Sequence, residues 1–194
     1  MSFIAYRVEE AEGGMKAGWQ SQTDDQLPDG DVLIEVQFSS VNYKDALSAS
    51  GNKGVTRAYP HTPGIDAAGI VLESRDPGFR AGDEVVVFGY DLGMNTAGGF
   101  GQHIRVPAGW VLKKPTALSL ADSMAWGTAG FTAALSVQKL ERAGVQPDKG
   151  PVVVTGATGG VGSVAVALLA KLGYDVVAVS GKPEQQAFLN SLGA

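Results

Sequence analysis

The run Thr155-Gly156-Ala157-Thr158-Gly159-Gly160-Val161-Gly162 has the residue types and spacing most suggestive of chemistry. It lies between the apolar stretch Val152-Val153-Val154-Thr155 and a helical pattern from Val161 to Leu172. A dinucleotide pyrophosphate needs that placement: glycines let the backbone approach the phosphates, and the helix start offers free N–H groups and a positive dipole end. The G-x-G-x-x-G fingerprint is not met literally, because Thr158 replaces a glycine in the register Gly156-x-x-Gly159-x-x-Gly162. A close-packed turn without a ligand could use the same residues. About 20 residues further on, where an NAD site carries Asp or Glu for the ribose 2′-hydroxyl, the sequence reads Ser180-Gly181-Lys182. No carboxylate there repels a 2′-phosphate, Ser180 can donate a hydrogen bond and Lys182 brings a positive charge. The expected cofactor is NADPH, held by Thr158, Gly159, Gly160, Val161, Gly162, Ser180, Gly181 and Lys182. Against this, Ser180-Gly181 also reads as a plain turn, and Glu184 stands nearby.

The elements that must position these residues follow from periodicity. Val32–Phe38, Ala67–Leu72, Glu84–Phe88 and Phe100–Val106 read as strands separated by Gly, Pro and Asp, and the alternating start at Met1–Val8 reads the same way. Strands at such spacing predict an irregular β-barrel or sandwich over residues 1–125. From Ser119 to Leu140 the pattern turns helical, in two segments hinged at the small residues of Trp126-Gly127-Thr128-Ala129-Gly130-Phe131. Then come a strand at Val152–Thr155, the glycine turn, a helix, a strand at Asp175–Val179 and a helix from about Pro183 to Leu192. Pro183 suits a helix N1 position, where its missing N–H costs nothing. This βαβα order predicts an α/β unit over 126–194, the first part of a doubly wound sheet. The continuous apolar run at Val152 suits a strand buried on both faces. Two parallel strands leave one face and a long edge unpartnered, so the chain is expected to be a C-terminally truncated part of a longer protein.

Asn42-Tyr43-Lys44-Asp45, Pro63-Gly64-Ile65-Asp66-Ala67-Ala68-Gly69, Gly82-Asp83-Glu84-Val85 and Gly127-Thr128-Ala129-Gly130-Phe131-Thr132-Ala133 occur in that order. Together they resemble the medium-chain dehydrogenase/reductases, over essentially the whole chain. Asn42 to Leu47, Trp126 to Ala134 and Val179-Ser180-Gly181-Lys182 are similar to the quinone oxidoreductase-like branch that includes bacterial acrylyl-CoA reductase. The glycine run alone also fits the short-chain dehydrogenases. Their loop lies near the N-terminus, however, and no Tyr here is followed four residues later by Lys.

The resemblance implies a GroES-like β-rich catalytic domain followed by a Rossmann-type domain, with the active site between them. It further implies an NADPH-dependent reductase of an activated C=C bond or a quinone, and a homodimer of the full-length protein. Zinc-dependent relatives place a Cys ligand where Asn42 stands and a His-Glu pair where Ile65-Asp66 stands, so no metal is expected. Tyr43 is a candidate proton donor and nicotinamide contact, and core packing of its ring is the alternative. Asn42 could hold a carbonyl oxygen or the nicotinamide ribose, or simply form a turn. Asp45 could orient either residue or cap the following helix. Thr128 matches a position beside the nicotinamide, Asp66 is expected to fix backbone N–H groups, and Tyr90 lies near the cleft by analogy. A non-catalytic NADPH-binding protein of this fold, or an inactive fragment, is the competing reading.

Composition bounds the rest. With no Cys and only His61 and His103, thiolate metal sites and disulfides are excluded, and both histidines read as surface or core residues. A formal net charge of -5 without a Lys/Arg cluster argues against nucleic acid as a partner. No apolar run reaches the roughly 20 residues of a membrane span, and no basic leader precedes an apolar stretch. A cytoplasmic protein acting on a small molecule is expected.

Overall fold

The computed structural model describes residues 1–194. The chain divides into two compact units, Met1–Gly127 and Thr128–Ala194. In the first, β1 (Ser2–Ala11) and β2 (Gly14–Thr23) form an antiparallel hairpin. A five-stranded antiparallel sheet follows, built from β3 (Val32–Phe38), β4 (Asp66–Ser74), β5 (Glu84–Phe88), β6 (His103–Val106) and β7 (Val111–Lys113) in the order β6-β3-β4-β5-β7. Alternation sends Val32, Ile34, Val71, Val85, Val87, Ile104 and Val106 to one side, where they enclose the core with Leu92. The hairpin is tied to this body through its backbone: Tyr6 N–H donates to Phe100 C=O at 2.8 Å, and Val8 exchanges two 2.8 Å bonds with His61. The short helix α1 (Tyr43–Ala49) follows β3 and carries the Asn-Tyr-Lys-Asp segment at its start.

β3 and β4 approach closely where their register shifts between Val36 and Phe38. A Cβ at Gly69 would lie 2.0 Å from Glu35 O, so only glycine fits that crossing.

The long helix α2 (Leu120–Arg142) is broken at Gly127, whose φ of 48° and ψ of -155° are not helical. The boundary between the two units falls at this break. Beyond it, β8 (Val152–Thr155), α3 (Gly160–Lys171), β9 (Val176–Val179) and α4 (Gln186–Ser191) follow in βαβα order, and β8 pairs parallel with β9. Val137, Ala157, Val166, Leu169, Tyr174, Val176 and Leu189 form the core of this unit.

The expected strands over Val32–Phe38, Glu84–Phe88 and Val152–Thr155 coincide with β3, β5 and β8. Three features differ. β2 is largely exposed and β7 only three residues long, so neither carries a strong hydrophobic alternation. Phe100–Gln102 is not a strand extension but the stretch that docks on β1. β8 is not buried on both faces: Val152 and Val154 pack inward, whereas Val153 is 60% exposed, as are Val177 and Val179 of β9 in part. The helices of this unit cover one side of the two-stranded sheet.

Ile34 is 1% exposed at the centre of the N-terminal core. Ile34→Ala is expected to lower unfolding free energy by about 2–5 kcal/mol, the usual range for emptying such a site. Urea denaturation followed by fluorescence measures it.

Candidate functional site

The N-terminal candidates gather around two buried carboxylates. Asp45 stands at the third position of α1 and is 2% exposed. Its Oδ2 accepts the Asn42 backbone N–H at 2.7 Å, closing one arm of a capping box. Its Oδ1 accepts the N–H groups of Ile65 at 2.9 Å and Gly64 at 3.2 Å. Burial raises the Asp45 carboxyl above the ordinary aspartate range, the three backbone donors oppose that, and the charge of Asp66 adds to it. A carboxylate with three backbone donors holds the chain in place, and of the two roles anticipated for Asp45 these bonds match the capping of α1.

Asp66 opens β4 and is fully buried. It takes side-chain donors. Its Oδ2 accepts Asn42 Nδ2 at 2.9 Å and a close hydrogen bond from the Ser40 hydroxyl. Asn42 Nδ2 also donates to Ser40 Oγ at 3.0 Å. Ser40 carried no sequence signal, because a serine pair, Ser39-Ser40, between a strand and an Asn-Tyr segment reads as loop. Gly127 lies against the same group: a Cβ there would stand 2.7 Å from Asp66 Oδ2 and 3.1 Å from Ser40 Oγ. Tyr43, at the first position of α1, is 81% exposed, so its ring is not core. Tyr90 is exposed too, stacked on Trp110 at 5.2 Å, with its hydroxyl donating to Gly109 C=O at 3.0 Å.

In the second unit the glycine turn takes the form that its composition suggested. Gly156 has φ 61°, a left-handed conformation that favours glycine. A Cβ on Gly162 would lie 2.3 Å from Gly156 O, so this glycine allows the first turn of α3 to pack on the end of β8. Gly159 is the N-cap and has no side chain to satisfy the helix start, so the N–H groups of Gly160, Val161 and Gly162 remain available to an anion. Thr158 Oγ1 and Ser180 Oγ lie 3.2 Å apart, which joins the turn after β8 to the end of β9. Ser180 Oγ also accepts the Lys182 backbone N–H at 3.1 Å. Gly181 and Lys182 are exposed. Thr128 is half-buried on the first turn after the break in α2, with its carbonyl accepting the Thr132 hydroxyl at 2.7 Å.

Both histidines are core residues. His103 stacks on Phe3 at 4.9 Å and its Nδ1 meets Asp24 Oδ1 at 2.7 Å. His61 is 5% exposed, and its Nε2–H donates to Gly93 C=O at 2.9 Å. Nowhere do three or more His, Asp or Glu side chains gather as metal ligands would. No helix is long and apolar enough to cross a membrane.

A β-rich unit of this topology followed by a glycine-turn βαβα unit is shared with solved oxidoreductase structures. Residues 28–116 match the alcohol dehydrogenase GroES-like domain family. The chain is 50% identical over 190 residues to the probable acrylyl-CoA reductase AcuI of Escherichia coli K12, an alignment covering 98% of this chain and 59% of that protein. It is 46% identical over 192 residues to the putative quinone oxidoreductase YhfP of Bacillus subtilis strain 168, covering 99% of this chain and 58% of that one. The crystal structure of B. subtilis yhfP with NAD bound superposes with a TM-score of 0.96, over 100% of this chain and 59% of that one. The yhdH oxidoreductase of Salmonella enterica in complex with NADP also superposes with a TM-score of 0.96 at 50% identity, covering 98% and 59% of the two chains. The chain thus spans somewhat more than half the length of these relatives.

Burial holds the His61 imidazole below its ordinary pKa of 6.5. Above that pH it is neutral in both folded and unfolded chains. As pH falls below it, the unfolded chain takes up the proton first and stability drops. His61→Gln, which keeps a donor for Gly93 C=O, is therefore expected to flatten the decline in unfolding free energy below about pH 6.5, by at most about 1.4 kcal/mol per pH unit. Urea titrations at a series of pH values read this directly.

Proposed function

We propose that the protein is a zinc-independent, NADPH-dependent reductase of an activated C=C bond or a quinone. The observation that carries the reading is the cradle at the start of α3, coupled through Thr158 to Ser180 at the end of β9. The residues fit a dinucleotide. A Cβ would obstruct the turn at Gly162, the N-cap is a bare glycine, and the helix start offers unclaimed N–H groups to a pyrophosphate. Ser180 and Lys182 stand where an NAD site carries a carboxylate, and a 2′-phosphate meets a hydroxyl and a positive charge there instead. Relatives solved with NADP and with NAD both exist, so the choice of NADPH rests on these two residues.

Bound NADPH supplies hydride to the electron-poor β-carbon of an enone, a quinone or an α,β-unsaturated acyl thioester. The protein must stabilise charge on the carbonyl oxygen and deliver a proton to the α-carbon. The exposed Tyr43 phenol is the proposed proton source, with Thr128 beside the nicotinamide. Asn42 and Ile65-Asp66 stand at the zinc-ligand positions of metal-dependent relatives. There an amide, an aliphatic side chain and one aspartate already bonded to neutral donors make no three-ligand site. The names of the relatives, acrylyl-CoA reductase and quinone oxidoreductase, set the substrate classes to try first.

NADPH is expected to bind more tightly than NADH, and Lys182→Ala to erase most of the difference, at a cost of about tenfold for one charge-assisted contact. Fluorescence titration of both nucleotides against both proteins measures it, and equal affinities in wild type would end the cofactor assignment. Tyr43→Phe is expected to lower reduction of acryloyl-CoA or an enone by about 10²–10⁴-fold, the scale of a lost general acid. NADPH affinity should be retained, and unchanged turnover would remove Tyr43 from the reaction.

A further inference from the structure

We infer that an apolar cleft bordered by Trp19 holds the hydrocarbon substituent of the substrate, and that the protein favours activated alkenes carrying a longer hydrocarbon part than an acryloyl group. The inference rests on the reductase reading for the reaction, and on the cleft alone for what is held there.

The cleft measures about 440 Å³, within the range of sites that take small organic ligands. The β1–β2 hairpin contributes Tyr6 and Trp19, and the stretch docked on β1 contributes Phe100. Val41, Ala46 and Ala49 come from α1 and the segment ahead of it. Ala46 and Ala49 stand three residues apart on one face of α1, and their short side chains leave the space open. Asp45 is the one charged residue among those that line the cleft. It is 2% exposed and already accepts three backbone N–H groups, so the surface on offer is hydrocarbon. A phosphate or carboxylate would find no cation among the lining residues, and its loss of water would go uncompensated.

The backbone fixes the aromatic residues. Trp19 faces Tyr6 across the β1–β2 ladder, and the two rings meet edge to face with centroids 5.4 Å apart. Tyr6 N–H in turn donates to Phe100 C=O at 2.8 Å. Trp19 is nevertheless 71% exposed. So large a ring left in water forgoes the stabilisation of burial, and contiguous exposed apolar surface of this kind marks a binding site. Trp19 and Phe100 also border a second hollow of about 370 Å³, together with Ile4, Val36 and Phe38. The apolar surface therefore continues past the indole.

The cleft adjoins the candidate reacting group. Asn42 is extended, so Val41 and Tyr43 project to the same side of the chain. Val41 lines the cleft, which places it on the side that carries the Tyr43 phenol, the proposed proton source. A substrate that meets this phenol can lay a hydrocarbon tail against Trp19, Ala46 and Ala49. An acryloyl group has no tail to lay there.

Two measurements test this. Methyl vinyl ketone and pentyl vinyl ketone present the same activated alkene and differ by four methylenes, as do methyl propenyl and methyl heptenyl ketone. In at least one pair, kcat/KM with NADPH should rise at least about tenfold with the longer tail, since each fully buried methylene is worth roughly fourfold. Trp19→Ala removes one border of the cleft, and Ala46→Leu fills it while keeping a strong helix former. Each variant should bring the ratio to within about threefold of unity. No gain in either pair, or a gain that survives either variant, would overturn the assignment.

The second measurement needs no turnover. Ethyl pentyl ketone, which lacks the alkene, should shift the Trp19 indole N–H and the Ala46 and Ala49 methyl resonances saturably. Ethyl methyl ketone should need at least about tenfold higher concentration. Shifts that are absent, or equal for both ketones, would overturn the assignment. So would self-association that Trp19→Ala abolishes without any response to the ketones, which would make the surface a contact between protein chains. If the wild type reduces no alkene, the reductase reading fails, and the resonance shifts still decide whether the cleft takes a hydrocarbon tail.

Discussion

Two carboxylates buried in one corner of the N-terminal unit impose the constraint around which that half of the molecule is arranged. Asp45 and Asp66 are essentially inaccessible, and a buried charge persists only where donors replace the water it has lost. Asp45 recruits backbone N–H groups from residues 42, 64 and 65, and so pins the start of α1 to the turn that leads into β4. Asp66 recruits the side chains of Ser40 and Asn42 from the segment leaving β3. Gly127 presses on the same group from the break in α2. Three stretches distant in sequence therefore meet in one small volume because two charges there must be satisfied.

The C-terminal unit meets its requirement differently. Its site is made of backbone, and its glycines matter for what they lack. Gly162 must have no Cβ because the carbonyl of Gly156 is already in that space. The bare N-cap at Gly159 leaves donors of α3 unclaimed. Side chains enter only at the rim, where Thr158 and Ser180 join the two turns and Lys182 adds charge. One candidate site is thus built from fixed polar side chains and the other from exposed main chain.

Much of this was legible before any coordinates. Apolar alternation located β3 and β5, the run at Val152–Thr155 located β8, and the small residues after Trp126 marked the break in α2. These are local properties, set by period and by backbone freedom within a few residues. What was misjudged depended on distant partners. The sequence shows Asp45 and Asp66 near glycines and cannot say which donors each of them meets. Those donors lie some twenty residues away, and only the β3–β4 pairing and the turn before β4 bring them close. Val153 was expected to be buried because its neighbours are apolar, whereas burial depends on which face the helices cover.

The sequence by itself determined the order of elements, the glycine turn, the absence of a carboxylate from Ser180-Gly181-Lys182 and of Cys and His from the usual metal positions. Each is a matter of residue identity at a given place in the chain. Tertiary structure alone decided that Asp45 meets the backbone of residues 42, 64 and 65, that Ser40 and Asn42 meet Asp66 and that position 127 can hold only glycine. Those are questions of which donor meets which acceptor and what volume is left over. They are settled when segments far apart in sequence are packed against a charge that cannot reach water.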